Sequence, residues 1–310
     1  MSNLAPIVLF VYNRLDHTKQ TLEALQKNHL AKESEVFIYS DAAKNPDIKQ
    51  AVDEVREYLK TIDGFKQVSI VEREQNWGLA KSIIDGVTTV VNEYGKIIVL
   101  EDDLLTSPYF LMFMNEALNF YKENHTILSI SGFSPNKKFM NFPHNYTNDI
   151  YIHIRPMSWG WGTWKERWNT VDWKVEQYKS FIVNPFKIIQ FNKGGTDLSN
   201  MLKVQMAGKI DSWYIRWAFH AYTMKQNTIY PVESFVENIG YDNTGMHCEV
   251  DDQHVFTHDS LSRKELWEFQ KNIQMNKSIV NHYNKAFNLS YWNRSKWFVK
   301  NILWYLRVLK

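Results

Sequence analysis

The hydrophobic pattern changes period repeatedly along the first hundred residues. Residues 7–12 (IVLFVY) form an unbroken apolar run rich in β-formers, the signature of a strand covered on both faces. Residues 16–28 (DHTKQTLEALQKN) open on an N-cap Asp and carry Leu22 and Leu25 at helical spacing. Residues 35–40 (EVFIYS) predict a second strand. In residues 47–60, Ile48, Val52, Val55 and Leu59 share one helical face. A third strand is expected at 67–72, a third helix at 78–94 and a fourth strand at 96–100. This βαβαβαβ order predicts an α/β fold with a Rossmann-like, mostly parallel sheet flanked by helices. Farther on the alternation loosens. Helices are expected at 109–123, 197–208 and 212–226, strands at 126–131 and 228–232, and a loop at 132–150. No repeat or low-complexity linker interrupts the chain, so residues 1–255 read as one domain followed by a helical extension over 256–310.

Composition narrows the picture. Hydrophobic residues make up 44% of the 310, enough for a full core. The net charge of +2 does not by itself call for a nucleic-acid partner. A single cysteine, Cys248, excludes an internal disulfide and a cysteine-based zinc cluster and fits a reducing compartment. The start, MSNLAPIVLFVYNR, lacks the basic region and cleavage site of a signal peptide, and no stretch has the length and apolarity of a membrane span. Aromatic content is 15%; such residues fill cores, stack on sugars or anchor at membrane interfaces. The last stretch, 291–310 (YWNRSKWFVKNILWYLRVLK), holds three Trp, five basic residues and no acid. As a helix it aligns Phe298, Ile302, Leu306 and Leu309, which suits an anionic membrane surface or, alternatively, docking on the domain.

The candidate chemistry begins at KIIVLEDDLLTSPY, residues 96–109, where four apolar residues run into Glu101, Asp102 and Asp103. Crowded carboxylates repel unless a cation lies between them. Ligands gather at the carboxyl ends of strands in open α/β sheets, where acids are suitable oxygen donors for Mn²⁺ or Mg²⁺. A solvated loop is the alternative. The chain has neither GxGxxG nor a Walker A loop, so the usual phosphate cradles are missing.

VYNR after the first strand, SD ending the second, NWGLAKS before the third helix, VLEDDLLTSP, WGWGTW and VENIGYDNTGMHC occur in that order over residues 6–248. Together they resemble nucleotide-sugar glycosyltransferases of the GT-A fold, of the bacterial family 2 type similar to N-acetylglucosaminyltransferase I. The resemblance implies a nucleotide-binding half up to about residue 104 and an acceptor half over about 105–255. It implies Asp103 as metal ligand, with Glu101 and Asp102 on ribose or donor sugar. Tyr12, Asn13, Arg14 and Asp41 would line the nucleotide pocket. Asn76, Trp77 and Lys81 open a helix whose N-terminus favours an anion. KIDSWYIRW (209–217) resembles the segment that carries the general base, which points to Asp211 and an inverting reaction. His247 would be a second metal ligand. Trp159, Trp161 and Trp164, set among glycines, are expected in a loop lining the acceptor side. Singly, each has a plainer alternative: turn residue, surface lysine, N-cap for Asp211, core packing for the tryptophans.

The resemblance thus implies a metal-dependent transferase moving sugar from a nucleotide sugar, UDP-linked by expectation, to a glycan or lipid-linked acceptor in bacterial surface polysaccharide synthesis. It would be cytoplasmic, held to the inner membrane face through 291–310, with no nucleic-acid partner. Two rivals remain at this level. A sugar-nucleotide nucleotidyltransferase would have a glycine-rich loop after strand one, and VYNRLDHT has no glycine. A carbohydrate-binding protein would use its many tryptophans as stacking surfaces.

Overall fold

Residues 4–241 and 253–287 are described by a computed structural model. His247, Cys248 and the 291–310 tail lie outside these residues. Strands β1 (Ile7–Val11), β2 (Glu35–Ser40), β3 (Gln67–Glu72) and β4 (Lys96–Glu101) alternate with α1 (Leu15–Gln26), α2 (Lys49–Leu59) and α3 (Leu79–Tyr94), as the hydrophobic period predicts. There follow β5 (Leu104–Thr106), α4 (Phe110–Phe120), β6 (Ile127–Ser131), α5 (Lys137–Met140), β7 (Ile150–His153), β8 (Trp161–Trp164) and α6 (Lys165–Trp168). Helices α7 (Tyr178–Ile182), α8 (Pro185–Phe191), α9 (Leu198–Met206) and α10 (Trp213–Met224) precede β9 (Asn227–Pro231) and β10 (Val236–Asn238). Helices α11 (Gln253–Phe256) and α12 (Lys277–Lys285) complete the described chain.

One eight-stranded sheet runs β3-β2-β1-β4-β8-β6-β9-β7. Strands β1 to β4 pair in parallel, β8 lies antiparallel between β4 and β6, and β7 is antiparallel at the edge beside β9. The sheet is mostly parallel, the α/β architecture expected from the sequence. The first half is parallel because each crossover is a helix. Ile7, Val8 and Leu9 and Ile97 to Leu100 are fully buried, which is why their runs do not alternate with polar residues. One face carries Leu22, Leu25, Val55 and Leu59 of α1 and α2. The other carries Ile83, Val87 and Val90 of α3 together with α10.

The expected loop at WGWGTW is instead the central strand β8. The spacing of Trp161 and Trp164 puts their rings on opposite faces, and they are 1% and 3% exposed. The Trp164 indole N–H donates to the Leu118 carbonyl at 3.0 Å. Trp161 lies 5.7 Å from Trp168, 5.3 Å from Trp213 and 4.4 Å from Trp217, ring centre to ring centre. Gly162 permits this packing: a Cβ there would fall 2.8 Å from the Ile97 carbonyl oxygen and 3.1 Å from side-chain carbons of Leu118 and Met114. Buried tryptophans of this kind offer no stacking surface to a sugar.

Helix α12 closes the far edge of the sheet. The Tyr283 hydroxyl donates to that of Tyr230 at 3.0 Å, and Tyr230 donates to the Arg155 carbonyl at 2.6 Å. The His153 ring stacks 4.1 Å from Tyr283 and accepts the Arg155 N–H at 3.0 Å. Burial, aided by the Arg155 charge, pushes His153 down to about 3. A depressed histidine stabilises the fold above its unfolded value and loses that contribution as pH falls, because the unfolded chain binds the proton first. Between pH 7 and pH 5, urea-unfolding free energy of the wild type should drop by about 2 kcal/mol more than that of His153→Phe. Parallel pH dependence in the two proteins would contradict the assignment.

Candidate active site

The register of the parallel strands sets the site. Val11 pairs with Ser40, Phe10 with Glu101, and Ser40 with Glu72. Tyr12 to Arg14, Asp41, Arg73 and Asp102–Asp103 therefore leave the sheet side by side along its carboxyl edge.

At the end of β4, Arg14 fills the position that crowded acids require. Its Nη2 donates to Asp102 Oδ1 and, at 2.8 Å, to Asp103 Oδ2. The backbone fixes the acids independently: Thr21 Oγ1 donates to the Asp102 carbonyl at 2.8 Å, and the Ile239 N–H to the Asp103 carbonyl at 2.9 Å. The second bond extends the antiparallel pairing of β5 with β10. It lays Gly240 so close to Asp103 that a Cβ would come within 2.5 Å of Oδ2. The start of VENIGYDNTGMHC, residues 236–240, thus runs against the last acid of the triplet.

Burial, followed by the charges of Asp103 and Asp102, pushes Glu101 up to about 8. Burial raises Asp102 to about 6 against the opposing pull of Arg14. Burial also works against the Arg14 charge, but the two carboxylates outweigh it and hold the guanidinium above its ordinary value. Among the described residues, Asp102 Oδ2 and Arg14 Nη1 are buried without hydrogen-bond partners. Such atoms are costly unless a ligand completes them.

Among the described residues, no three His, Cys, Asp or Glu side chains form a metal cage. The donor set instead fits a hard cation taking one or two carboxylates from protein and its other ligands from phosphate and water. Asp103 and Asp102 are the residues that could hold it.

The second group of predicted residues forms a turn. Asp41 Oδ1 accepts N–H bonds from Ala42 and Trp77, both at 2.9 Å, while Oδ2 accepts from the Gly78 N–H at 2.9 Å and Asn76 Nδ2 at 3.1 Å. Its carboxylate organises the start of α3. Gly78 adopts φ +73° there, a conformation that favours glycine. The Trp77 ring lies under the Arg73 guanidinium at 3.8 Å and the Lys81 ammonium at 4.0 Å, within cation–π range. The Tyr12 hydroxyl accepts the Lys44 N–H at 3.1 Å, and Asn13 is half-buried at the same edge. Arg73 was not singled out in the sequence. The available signal was its place immediately after β3, at the same carboxyl edge that Arg14 occupies beyond β1.

The residues expected on an acceptor side divide. Ser212, not Asp211, caps α10, its hydroxyl accepting the Ile215 N–H at 3.4 Å. Asp211 is exposed and accepts from Arg216 Nη2 at 2.9 Å. Helix α10 begins against β8, where Trp213 meets Trp161, and Trp161 pairs with Val99 two residues before Glu101. Trp161 and Trp164 are removed from any acceptor by burial. Trp159 is only partly buried, edge-on to Phe133 at 4.7 Å and to Tyr241 at 5.9 Å.

A family model described as Glycosyl transferase family 2 matches residues 7–190. Among solved structures, the chain is similar to the mannosyltransferase PcManGT from Pyrobaculum calidifontis in complex with GDP-Man and Mn²⁺, at 12% identity and a TM-score of 0.37, over 53% of this chain and 46% of that one. It is also similar to S. aureus TarS 1–349, at 13% identity and a TM-score of 0.41, over 74% of this chain and 59% of that one. Curated protein sequences yield no match.

Asp41 is the most connected side chain of the site. Asp41→Ala should remove four acceptor contacts and lower unfolding free energy by about 2–3 kcal/mol, measurable by urea denaturation. Unchanged stability would show that the NWG turn holds itself.

Proposed function

Because the chain belongs to glycosyl transferase family 2, we propose that its carboxyl edge binds a nucleotide sugar and transfers the sugar to an acceptor hydroxyl. The observation that carries this reading is the acid triplet at the end of β4, with Arg14 bridging Asp102 and Asp103 and one buried carboxylate oxygen left without a partner among the described residues.

Transfer requires that the departing diphosphate be stabilised, the acceptor hydroxyl deprotonated and water kept out. Mn²⁺ or Mg²⁺ held on Asp103 would supply positive charge against the diphosphate, with His247 as a further ligand. Arg14, already at that position, exchanges its carboxylates for phosphate. Lys81, over Trp77, and Arg73, on release from its ion pair with Asp85, add cationic charge beside the α3 N-terminus. Glu101 and Asp102 engage sugar or ribose hydroxyls. Asp211, released from Arg216, takes the acceptor proton at its carboxylate, and attack from the face opposite the leaving group inverts the anomeric carbon. Trp159 is the remaining aromatic candidate for the acceptor side. A UDP-sugar donor and a glycan or lipid-linked acceptor of a bacterial surface polysaccharide complete the reading. Among the described residues no helix is long and apolar enough to cross a membrane.

The test is calorimetric titration of UDP, GDP and CDP with and without Mn²⁺, on wild type and Asp103→Ala. Metal-dependent binding of one nucleotide, lost in the variant, is expected; binding of none would sink the proposal. A second outcome separates the role of Arg14 from simple charge attraction. Without nucleotide, Arg14→Gln should bind Mn²⁺ about tenfold more tightly than wild type, because the carboxylates lose their internal cation. Weaker metal binding in Arg14→Gln would contradict the exchange.

A further inference from the structure

Helices α7 to α10 enclose a cleft of about 600 Å³, a volume in the range of ligand sites. Its floor is apolar, with Phe181 and Phe191 lying 4.9 and 5.6 Å from Phe219. Lys187, Lys193 and Lys225 line it, all are exposed, and among the described residues no acid contributes to its wall. Residues 177–196 contain three lysines and no acid.

Beside this cleft, α8 turns its larger apolar residues outward. Phe186 is 77% exposed and Ile189 61%, one helical turn apart on the same face. Val183 and Met224 are also exposed, the latter between the lining residues Thr223 and Lys225. Large apolar side chains gathered next to a lysine rim are unusual on a free surface.

We propose that this cleft binds an anionic membrane lipid and, with Phe186 and Ile189 inserted beside it, seats the protein on an acidic bilayer. An apolar floor accepts hydrocarbon and the lysine rim accepts a phosphate headgroup, an arrangement complementary to an anionic amphiphile. A free phosphate would have no use for the floor or for the outward face of α8. The basic 291–310 segment has the same sign as the rim and is a poor occupant. The cleft is separate from the donor site. Asn227, which lines it, opens β9 and pairs with Ile127 at the start of β6. Because β6 and β9 point the same way as β4, the cleft lies at the amino edge of the sheet, opposite the acids. It is a tether that leaves the carboxyl edge free, and it does not depend on which sugar or nucleotide is used.

The experiment is flotation of the full chain with phosphatidylcholine vesicles, with and without phosphatidylglycerol, at low and high salt. Calorimetry with dihexanoyl phosphatidic acid, inorganic phosphate and a poly-glutamate peptide would run alongside. The wild type should bind only the anionic vesicles, less at high salt, and should bind the short-chain lipid but neither control. Two exposed-site variants, Phe186→Asp/Ile189→Asp and Lys187→Glu/Lys225→Glu, should each weaken vesicle binding at least about tenfold. Circular dichroism and melting would confirm that both are folded. Absence of vesicle binding, or equal binding by wild type and both variants, would overturn the proposal; the second outcome would move any membrane contact to another surface such as 291–310. Binding of inorganic phosphate or of the acidic peptide as tightly as the lipid would overturn it too.

Discussion

The bridge from Arg14 to Asp102 and Asp103 is the interaction on which the arrangement of the carboxyl edge depends. At 2.8 Å and an effective dielectric near 20, Coulomb attraction for one such pair is on the order of 6 kcal/mol. Desolvating the two ions costs a similar amount. The cluster is therefore poised near balance, and its geometry has to come from elsewhere. It comes from backbone: the parallel register of β1 with β4, the Thr21 bond to the Asp102 carbonyl and the β5–β10 ladder. A site built this way can exchange its internal cation for a ligand without losing its shape.

The same division recurs one strand over. Asp41 spends its carboxylate on backbone N–H groups of the NWG turn, so the rigid part of that corner is the turn itself. Two cations, Arg73 and Lys81, pack on the Trp77 ring, and Arg73 is also ion-paired with Asp85. Arg56 adds support behind them, with Nη2 bonded to the Arg73 carbonyl at 2.8 Å. Carboxylates fixed by backbone N–H groups, beside cations stacked on an aromatic ring, make an edge suited to a ligand carrying both hydroxyls and phosphates.

The first four strands and three helices were legible because burial on both faces writes continuous apolar runs, and helices facing one core write a 3.6-residue period. The acid triplet was legible because its position after such a run is itself a structural statement. Other features depended on contacts far along the chain. Arg14 and Asp102 are 88 residues apart, so the sequence placed both at the edge without pairing them. In β8 the sequence WGTW sets one tryptophan on each face of the sheet, but the packing room that makes Gly162 necessary belongs to Ile97, Met114 and Leu118. Helices α7 and α8 are short and joined at Pro185, too brief for a hydrophobic period to emerge. The shift of the α10 cap from Asp211 to Ser212 is a one-residue boundary matter that local pattern does not resolve.

The aromatic content acquires a specific meaning from β8. Trp161, Trp168, Trp213 and Trp217 pack between the sheet and α10, and each is buried. They do not meet sugar, yet they determine where the start of α10 lies relative to β4. Asp211 is too exposed and too loosely held by Arg216 for electrostatics to fix it, since an ion pair at the surface is worth little. Its distance from the acid triplet is therefore set by apolar packing two residues downstream. Truncating Trp213 would displace the carboxylate without touching any charge, which makes the tryptophan cluster a positioning device for the proposed base.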